Sequence, residues 1–137
     1  MKKEELTIGN YVNVAHQHSN IGGDYDLEFV PEKLTLEHFK FWAENDWNDT
    51  DFNEFLKPIP LTPEILKKNG FKQTSKREYI VVDRNYNYLL VDYYDPWFAI
   101  GNASDEEGEW QAFADIRFVH ELQNALKLLG INIEIKP

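Results

Sequence analysis

The chain has 137 residues, of which 42% are hydrophobic and 15% aromatic, with no cysteine and a formal charge of −10. This length and composition predict one domain with ample core material, and they exclude a disulfide framework, a thiolate nucleophile and a Cys-based zinc site. The negative charge disfavours direct binding to nucleic acid, and no apolar stretch approaches the ~20 residues of a membrane helix.

The first sixth of the chain predicts a strand over Leu6–Val14, bent at a Gly-Asn pair. The polar stretch His16–Asp24 contains Gly22-Gly23 and predicts a loop. From Tyr25 onwards apolar residues alternate with acids, which indicates a second strand, and we expect Pro31 to end it.

A short helix is predicted next, over Leu36–Glu44, with Thr35 as its N-cap. It is followed by Asn45–Asn53, where four Asn or Asp-type breaks predict an exposed loop. Both elements belong to a variable acidic and aromatic segment at about residues 15–57 of the single predicted domain.

A second helix is predicted over Thr62–Asn69 because start and stop signals agree. Thr62 is a favoured N-cap and Pro63 falls at the first helical position. Two lysines occupy the last turn, and Gly70 supplies a left-handed stop.

The remaining chain alternates turn residues with strand-like runs, which is typical of an antiparallel meander. A final helix, Phe118–Leu129, places apolar residues at three- and four-residue steps, and Ile131, Ile133 and Ile135 then alternate as a closing strand. We therefore predict a single α+β domain, with a mainly antiparallel twisted sheet and two short helices packed on it. The predicted meander strands are Glu78–Val82, Tyr86–Tyr93, Trp97–Asn102 and Trp110–Arg117, with an acidic turn at Ser104–Gly108.

Three runs of sequence carry a resemblance: IGNYV at Ile8–Val12, PIPLTPEILKKNGF at Pro58–Phe71 and IRFVHELQNALKLLG at Ile116–Gly130. In that order and spacing the chain resembles a family of small proteins from bacterial genomes and their prophages or mobile elements. The family has no assigned activity and no catalytic residues to carry over. The resemblance implies a phage-type accessory protein, and residues 15–55 depart from the family's pattern.

This departing stretch holds ten acids against two lysines and so contributes −8 of the formal −10. Trp is a favoured hot spot of protein interfaces, and carboxylates complement a basic surface. An alternative of equal weight is that the rings are core anchors and the acids a solvated face. The candidate partner-binding residues are Trp42, Glu44, Asp46, Trp47, Asp49, Asp51, Phe52 and Glu54, with Trp47 as the leading contact.

We expect a non-enzymatic accessory protein that binds and inhibits a host nucleic-acid-handling protein, of the anti-CRISPR or anti-restriction type. Acids spread over a rigid surface can imitate the charge pattern of a nucleic-acid backbone, so the expected partner is a basic protein surface. Met1-Lys2-Lys3 leads into Glu4-Glu5 rather than an apolar run, which predicts a cytoplasmic protein without a membrane partner.

Two alternatives remain open. A small hydrolase or metal-dependent enzyme would use His16 and His18, with Asp24 or Asp26 as further ligands, or His120 on the last helix. A structural or assembly protein of the mobile element would use the acids for solubility alone. No full set of metal ligands is spaced correctly, so we expect no metal and no cofactor. The basic patch Lys67–Arg77 is assigned neither to RNA binding nor to internal pairing.

Overall fold

The computed structural model describes residues 1–19, 22–23, 25–103 and 110–137. These residues form four α-helices and two antiparallel sheets, which confirms the predicted α+β class. The chain divides into two compact units: an N-terminal unit of residues 1–59, with which Pro137 is grouped, and a C-terminal unit of residues 60–136. Each has a sheet and two helices of its own, whereas the sequence predicted one sheet with two helices.

The N-terminal unit is built on a long hairpin. Its two nine-residue strands pair along their whole length, from Tyr11 opposite Lys33 to Ser19 opposite Tyr25, and the first of them lies between the second and a short third strand. The elements are β1 (Tyr11–Ser19), β2 (Tyr25–Lys33), α1 (Leu36–Glu44), α2 (Asp49–Phe55) and β3 (Leu56–Lys57).

The hairpin corrects three predictions. The first strand begins at Tyr11 rather than Leu6, and it runs through His16 to Ser19, where a loop was predicted. Pro31 does not end β2, since β2 pairs only with β1 and an edge strand tolerates a residue without an N–H donor. Asp24 lies outside the described residues.

The predicted helix over Leu36–Glu44 is confirmed as α1, but the loop predicted over Asn45–Asn53 is wrong. Helix α2 begins inside it because two of the supposed breaking residues cap its N-terminus. The Asn48 side chain accepts from the Asp51 backbone N–H at 3.1 Å, and the Asp51 carboxylate accepts from the Asn48 N–H at 2.9 Å. Such a reciprocal pair satisfies two backbone donors that a helix start leaves open.

The core of the N-terminal unit joins the hairpin to both helices. Its members come from the chain start, β1, the β2–α1 link, the two helices and β3. They are Leu6, Val12, Leu34, Trp42, Phe52 and Leu56, with Met1, Val14, Phe39 and Trp47 packed against them.

In the C-terminal unit the four predicted meander strands are confirmed as the last four strands of a five-stranded antiparallel sheet that is paired in chain order. The first strand, Lys72–Gln73, was not predicted, and the strand predicted from Tyr86 begins at Tyr88. The three central strands each bury three or more successive residues, so both faces of the sheet are covered there. The elements are α3 (Pro63–Lys68), β4 (Lys72–Gln73), β5 (Glu78–Val82), β6 (Tyr88–Tyr94), β7 (Trp97–Ala103), β8 (Ala114–Ile116) and α4 (Val119–Leu128).

The eighth strand is shorter than the predicted Trp110–Arg117 because the residues before it lie across β7. The Phe113 N–H donates to the Ile100 carbonyl at 2.9 Å, and the preceding residues cover Gly101. A Cβ on Gly101 would lie 2.4 Å from the Gln111 carbonyl oxygen and 2.6 Å from a ring carbon of Trp110. The predicted acidic turn Ser104–Gly108 lies outside the described residues.

The predicted closing strand over Ile131–Ile135 is wrong, although Ile131 and Ile135 are buried. Its backbone is held by side chains instead of by a neighbouring strand. The Asn69 amide donates to the Lys136 carbonyl and accepts from the Lys136 N–H, both at 2.8 Å. The alternating apolar residues therefore indicate burial here, but the segment does not form a strand.

A buried carboxylate, Asp83, fixes the turn between β5 and β6 and also the C-terminal segment. It accepts from the backbone N–H groups of Asn85 (2.8 Å), Asn87 (2.9 Å) and Asn132 (3.1 Å), and from the Asn87 side chain at 3.0 Å. These hydrogen bonds, those from Asn87 foremost, lower the pKa of Asp83 from 3.8 to about 2.

We expect Asp83→Asn to lower the melting temperature by several degrees at pH 7, because an amide cannot accept from all four donors. Since folding lowers this pKa, the stabilisation is complete above about pH 4 and is lost as the pH falls towards 2. The difference between the two proteins should shrink over that interval in calorimetric scans. Glu54→Gln, at an exposed carboxylate, is the control, and an equal loss in both variants would contradict the role of Asp83.

Candidate functional site

The N-terminal unit contains an open cleft of about 520 Å³ between the hairpin and α1, which we call the aromatic cleft. Its size lies within the range of known ligand sites. The hairpin contributes mainly small and apolar side chains, and α1 and α2 contribute rings. The lining residues are Val14, Ala15, Gln17, Leu27, Glu37, His38, Phe41, Trp42, Trp47 and Phe55.

Trp47 is the centre of the ring cluster that forms one wall of the cleft. Its ring stacks on Trp42 at 5.7 Å between centroids and meets Phe52 edge-on at 5.3 Å. Phe55 lies 5.5 Å away, and Phe41 contacts it edge-on at 5.9 Å. Such pairs add about 0.5–1.5 kcal/mol each beyond the burial of area, so these contacts stabilise the wall of the cleft.

The predicted contact residues separate into two groups. Trp42 and Phe52 are 3% and 1% exposed and belong to the core of the N-terminal unit, although Trp42 also lines the cleft. Trp47 is half-buried and borders the cleft, but most of its ring contacts are internal. The acids all lie at or near the surface: Glu44, Asp46, Asp49 and Glu54 are exposed, and Asp51 is half-buried.

Sequence reasoning missed the most accessible ring of the cleft. Phe41 is 53% exposed and lines the cleft next to the buried Trp42. Glu37 lines it as well, and Glu37, Phe41 and Glu44 stand at positions i, i+4 and i+7 of α1, which places them on one helical face. That spacing was visible in the sequence. The contributions of Gln17 and Leu27 depend on the pairing of β1 with β2, which was not visible in the sequence.

The electrostatic surroundings of the cleft are negative. Residues 1–59 carry twelve acids against five bases, a formal charge of −7. Glu37 has an exposed contact to Lys40 at 3.9 Å, a pair that is worth little in water. The carboxylate of Asp51 is occupied as a helix cap. A cationic ligand is therefore favoured at this surface. The carboxylates that could pair with it are the exposed ones on α1 and α2.

A carboxylate between two histidines holds α1 beside the hairpin. Glu32 contacts Nε2 of His16 through one oxygen, and Nε2 of His38 at 3.2 Å through the other. The Thr35 N–H donates to Nδ1 of His38 at 3.0 Å. Burial acts to raise the pKa of Glu32, but the hydrogen bonds and charges of His38 and His16 outweigh it, and the pKa lies below its usual value.

The metal alternative finds little support in this arrangement. Over the described parts of the chain, no group of three or more His, Asp or Glu side chains is placed to hold a metal ion. His16 contacts Glu32, and the side chain of His18 lies outside the described residues.

His120 lies on the buried face of α4, where it is 1% exposed. The enzyme alternative requires His120 to be reachable by a substrate. The His120 ring stacks nearly parallel on Phe118, with 6.0 Å between centroids. A ring so buried has little access to a substrate, which favours a structural role.

The C-terminal unit has a second cleft, of about 480 Å³, and it also contains the predicted basic patch. The guanidinium of Arg117 lines this cleft and lies 5.2 Å from the ring centre of Trp97, but Glu64 and Asp95 line it too, so its charge favours no single ligand class. In the basic patch, Arg77 pairs internally with Asp92 at 3.0 Å. The aromatic cleft is thus the better-defined candidate.

None of the helices within the described ranges is long and apolar enough to cross a membrane. Comparisons of this chain with protein-family models, with curated proteins and with solved structures find no match. The function is therefore inferred from the chemistry of the aromatic cleft itself.

Proposed function

We propose that the protein is a non-enzymatic binding protein whose aromatic cleft receives a basic segment of another protein. The observation that carries the proposal is the open, ring-walled cleft with Phe41 half-exposed at its rim, in a unit that bears a formal charge of −7. A half-exposed ring beside an unfilled apolar cleft is costly in water unless a partner covers it.

The chemistry of the cleft assigns two parts to the bound segment. Its apolar lining suits a leucine, methionine or aromatic anchor, which would exchange water for contact with Phe41, Trp47 and Phe55. Its rim carboxylate, Glu37, suits a lysine or arginine next to that anchor. The negative field of the whole unit would raise the association rate of a basic partner.

The partner class that fits this chemistry best is a nucleic-acid-handling protein, since such proteins carry basic surfaces for phosphates. A protein that covers such a surface inhibits the target protein, because it competes with the nucleic acid for the same basic site. The resemblance to prophage and mobile-element proteins supports a host-defence enzyme, of the CRISPR or restriction type, as the target.

We expect Phe41→Ala to weaken binding at least tenfold, because truncation of a central aromatic contact removes about 2 kcal/mol or more. The probe is a fluorescein-labelled 15-residue peptide with one leucine between arginines, and the measurement is fluorescence anisotropy at low salt. Leu36→Ala is the matched control: Leu36 stands on the same helix and is also 53% exposed, but it does not line the cleft.

Three results separate the possibilities. A selective loss in Phe41→Ala supports the cleft as the binding site. Equal affinities of Phe41→Ala, Leu36→Ala and the wild type would show that the peptide binds by charge alone and would contradict the proposal. A peptide with leucine replaced by serine should bind all three proteins equally weakly.

A further inference from the structure

The exposed face of α1 carries a regular pattern of one ring between two acids. Glu37, Phe41 and Glu44 stand at i, i+4 and i+7, and all three are exposed. At ~1.5 Å of rise per residue, Glu37 and Glu44 are about 10.5 Å apart along the axis, with Phe41 between them. Phe41 and Glu37 also line the aromatic cleft, so the pattern marks its rim.

Both acids are available to a partner. The side chain of Glu37 is 82% exposed, and its contact with Lys40 at 3.9 Å is weak. Among the residues the structure describes, no base lies within ion-pair distance of Glu44. A basic side chain could therefore approach either carboxylate without breaking an existing strong pair.

We infer that the basic segment bound at the aromatic cleft is an amphipathic α-helix lying along α1, with basic residues at i and i+7 and apolar residues at i+3 and i+4. The inference rests on the proposed function and adds the conformation and spacing of the ligand. A partner helix has the same rise per residue as α1, so bases seven apart meet both acids at once. The two apolar residues between them then lie against Phe41 and the cleft.

An extended segment does not match this spacing. Side chains on one face of a strand repeat every second residue, at about 6.6 Å, so the nearest pairs are about 6.6 Å or 13 Å apart. Neither distance equals the ~10.5 Å between the two acids along the helix. A strand would engage one acid and leave the other in water.

Three labelled 15-residue peptides test the inference, and the first two have the same composition. The first has lysines at i and i+7 and leucines at i+3 and i+4 in an alanine and glutamine background. The second moves the later lysine to i+5, on the opposite helical face. The third is the first peptide with one central alanine replaced by proline, which breaks the helix. We expect the first to bind roughly two- to fivefold more tightly than the second, as for one exposed ion pair, and the third to bind most weakly.

Variants of the protein identify the acid concerned. Glu44→Gln should remove the preference for the first peptide over the second, because the second base loses its partner. Glu4→Gln removes one exposed acid of the same unit outside the cleft, and it should leave the preference unchanged.

The outcomes distinguish this inference from the proposed function. If all three peptides bind equally and Phe41→Ala weakens them, the cleft remains the site and the helical ligand is overturned. If no peptide binds, both are overturned. A preference for the first peptide that survives Glu44→Gln would overturn the pairing along α1.

Discussion

Replacing Trp42 by alanine is expected to lower the free energy of unfolding of the N-terminal unit by about 3–5 kcal/mol. Trp42 is 3% exposed and packs on Phe39 at 4.8 Å, Phe52 at 5.1 Å and Trp47 at 5.7 Å. Its removal leaves a cavity at the point where both helices meet the hairpin, and the stacked Trp47 cannot fill it without leaving the cleft wall. Urea unfolding followed by circular dichroism measures the loss.

The matched control is the neighbouring residue. Phe41→Ala truncates an aromatic ring one position away on α1, but at 53% exposure it should cost less than about 1 kcal/mol. Phe41→Ala should therefore lower the affinity for a basic peptide without the large loss of stability that is expected of Trp42→Ala. A loss below about 1 kcal/mol in Trp42→Ala would contradict the assignment of Trp42 to the core.

The second large effect is expected at Gly101. Alanine there places a Cβ 2.4 Å from the Gln111 carbonyl oxygen and 2.6 Å from the Trp110 ring. Backbone and a large ring cannot move aside as the end of a flexible side chain would, so the segment before β8 must shift. We expect a loss of about 3 kcal/mol, at the upper end of the usual cost of overpacking.

The reference for this variant is Asn102→Ala, on the same strand but with an exposed side chain. It should change the stability by no more than about 0.5 kcal/mol. Equal unfolding midpoints for the two variants would show that residues 110–113 do not pack on β7 in solution. Hydrogen exchange at the Phe113 amide, which bonds to Ile100, offers an independent readout.

The elements predicted well from sequence are those whose signals are local. Thr62, Pro63 and Gly70 mark the start and stop of α3 within a few residues, and the turn at Asp83 separates two strands that the structure contains. At α2 the local signal is ambiguous, because Asn and Asp disfavour a helix interior but are preferred at a helix N-terminus. The sequence pattern predicts Asn48 and Asp51 as helix breakers, but as a reciprocal pair they begin a helix.

Of the eight contact residues predicted from the sequence, only Trp42 and Trp47 are among the residues that line the cleft. Composition identified an acidic and aromatic segment, but Glu37 and Phe41, which also line the cleft, precede the predicted contact residues. Which ring is exposed could not be decided from composition. Phe41 and Trp42 point about 100° apart on one helix, and the choice depends on the packing of Val12 and Leu56 against α1 and α2, which are distant in sequence.

The hydrogen bonds of His38 join the start of α1 to the hairpin. A backbone N–H can only donate, so Nδ1 of His38 accepts from Thr35, while Nε2 faces the Glu32 carboxylate of β2. One imidazole thus satisfies the backbone donor of the N-cap residue and contacts the neighbouring strand. The placement of Glu37 at the cleft therefore depends on the adjacent side chain, which lies in the same helical turn.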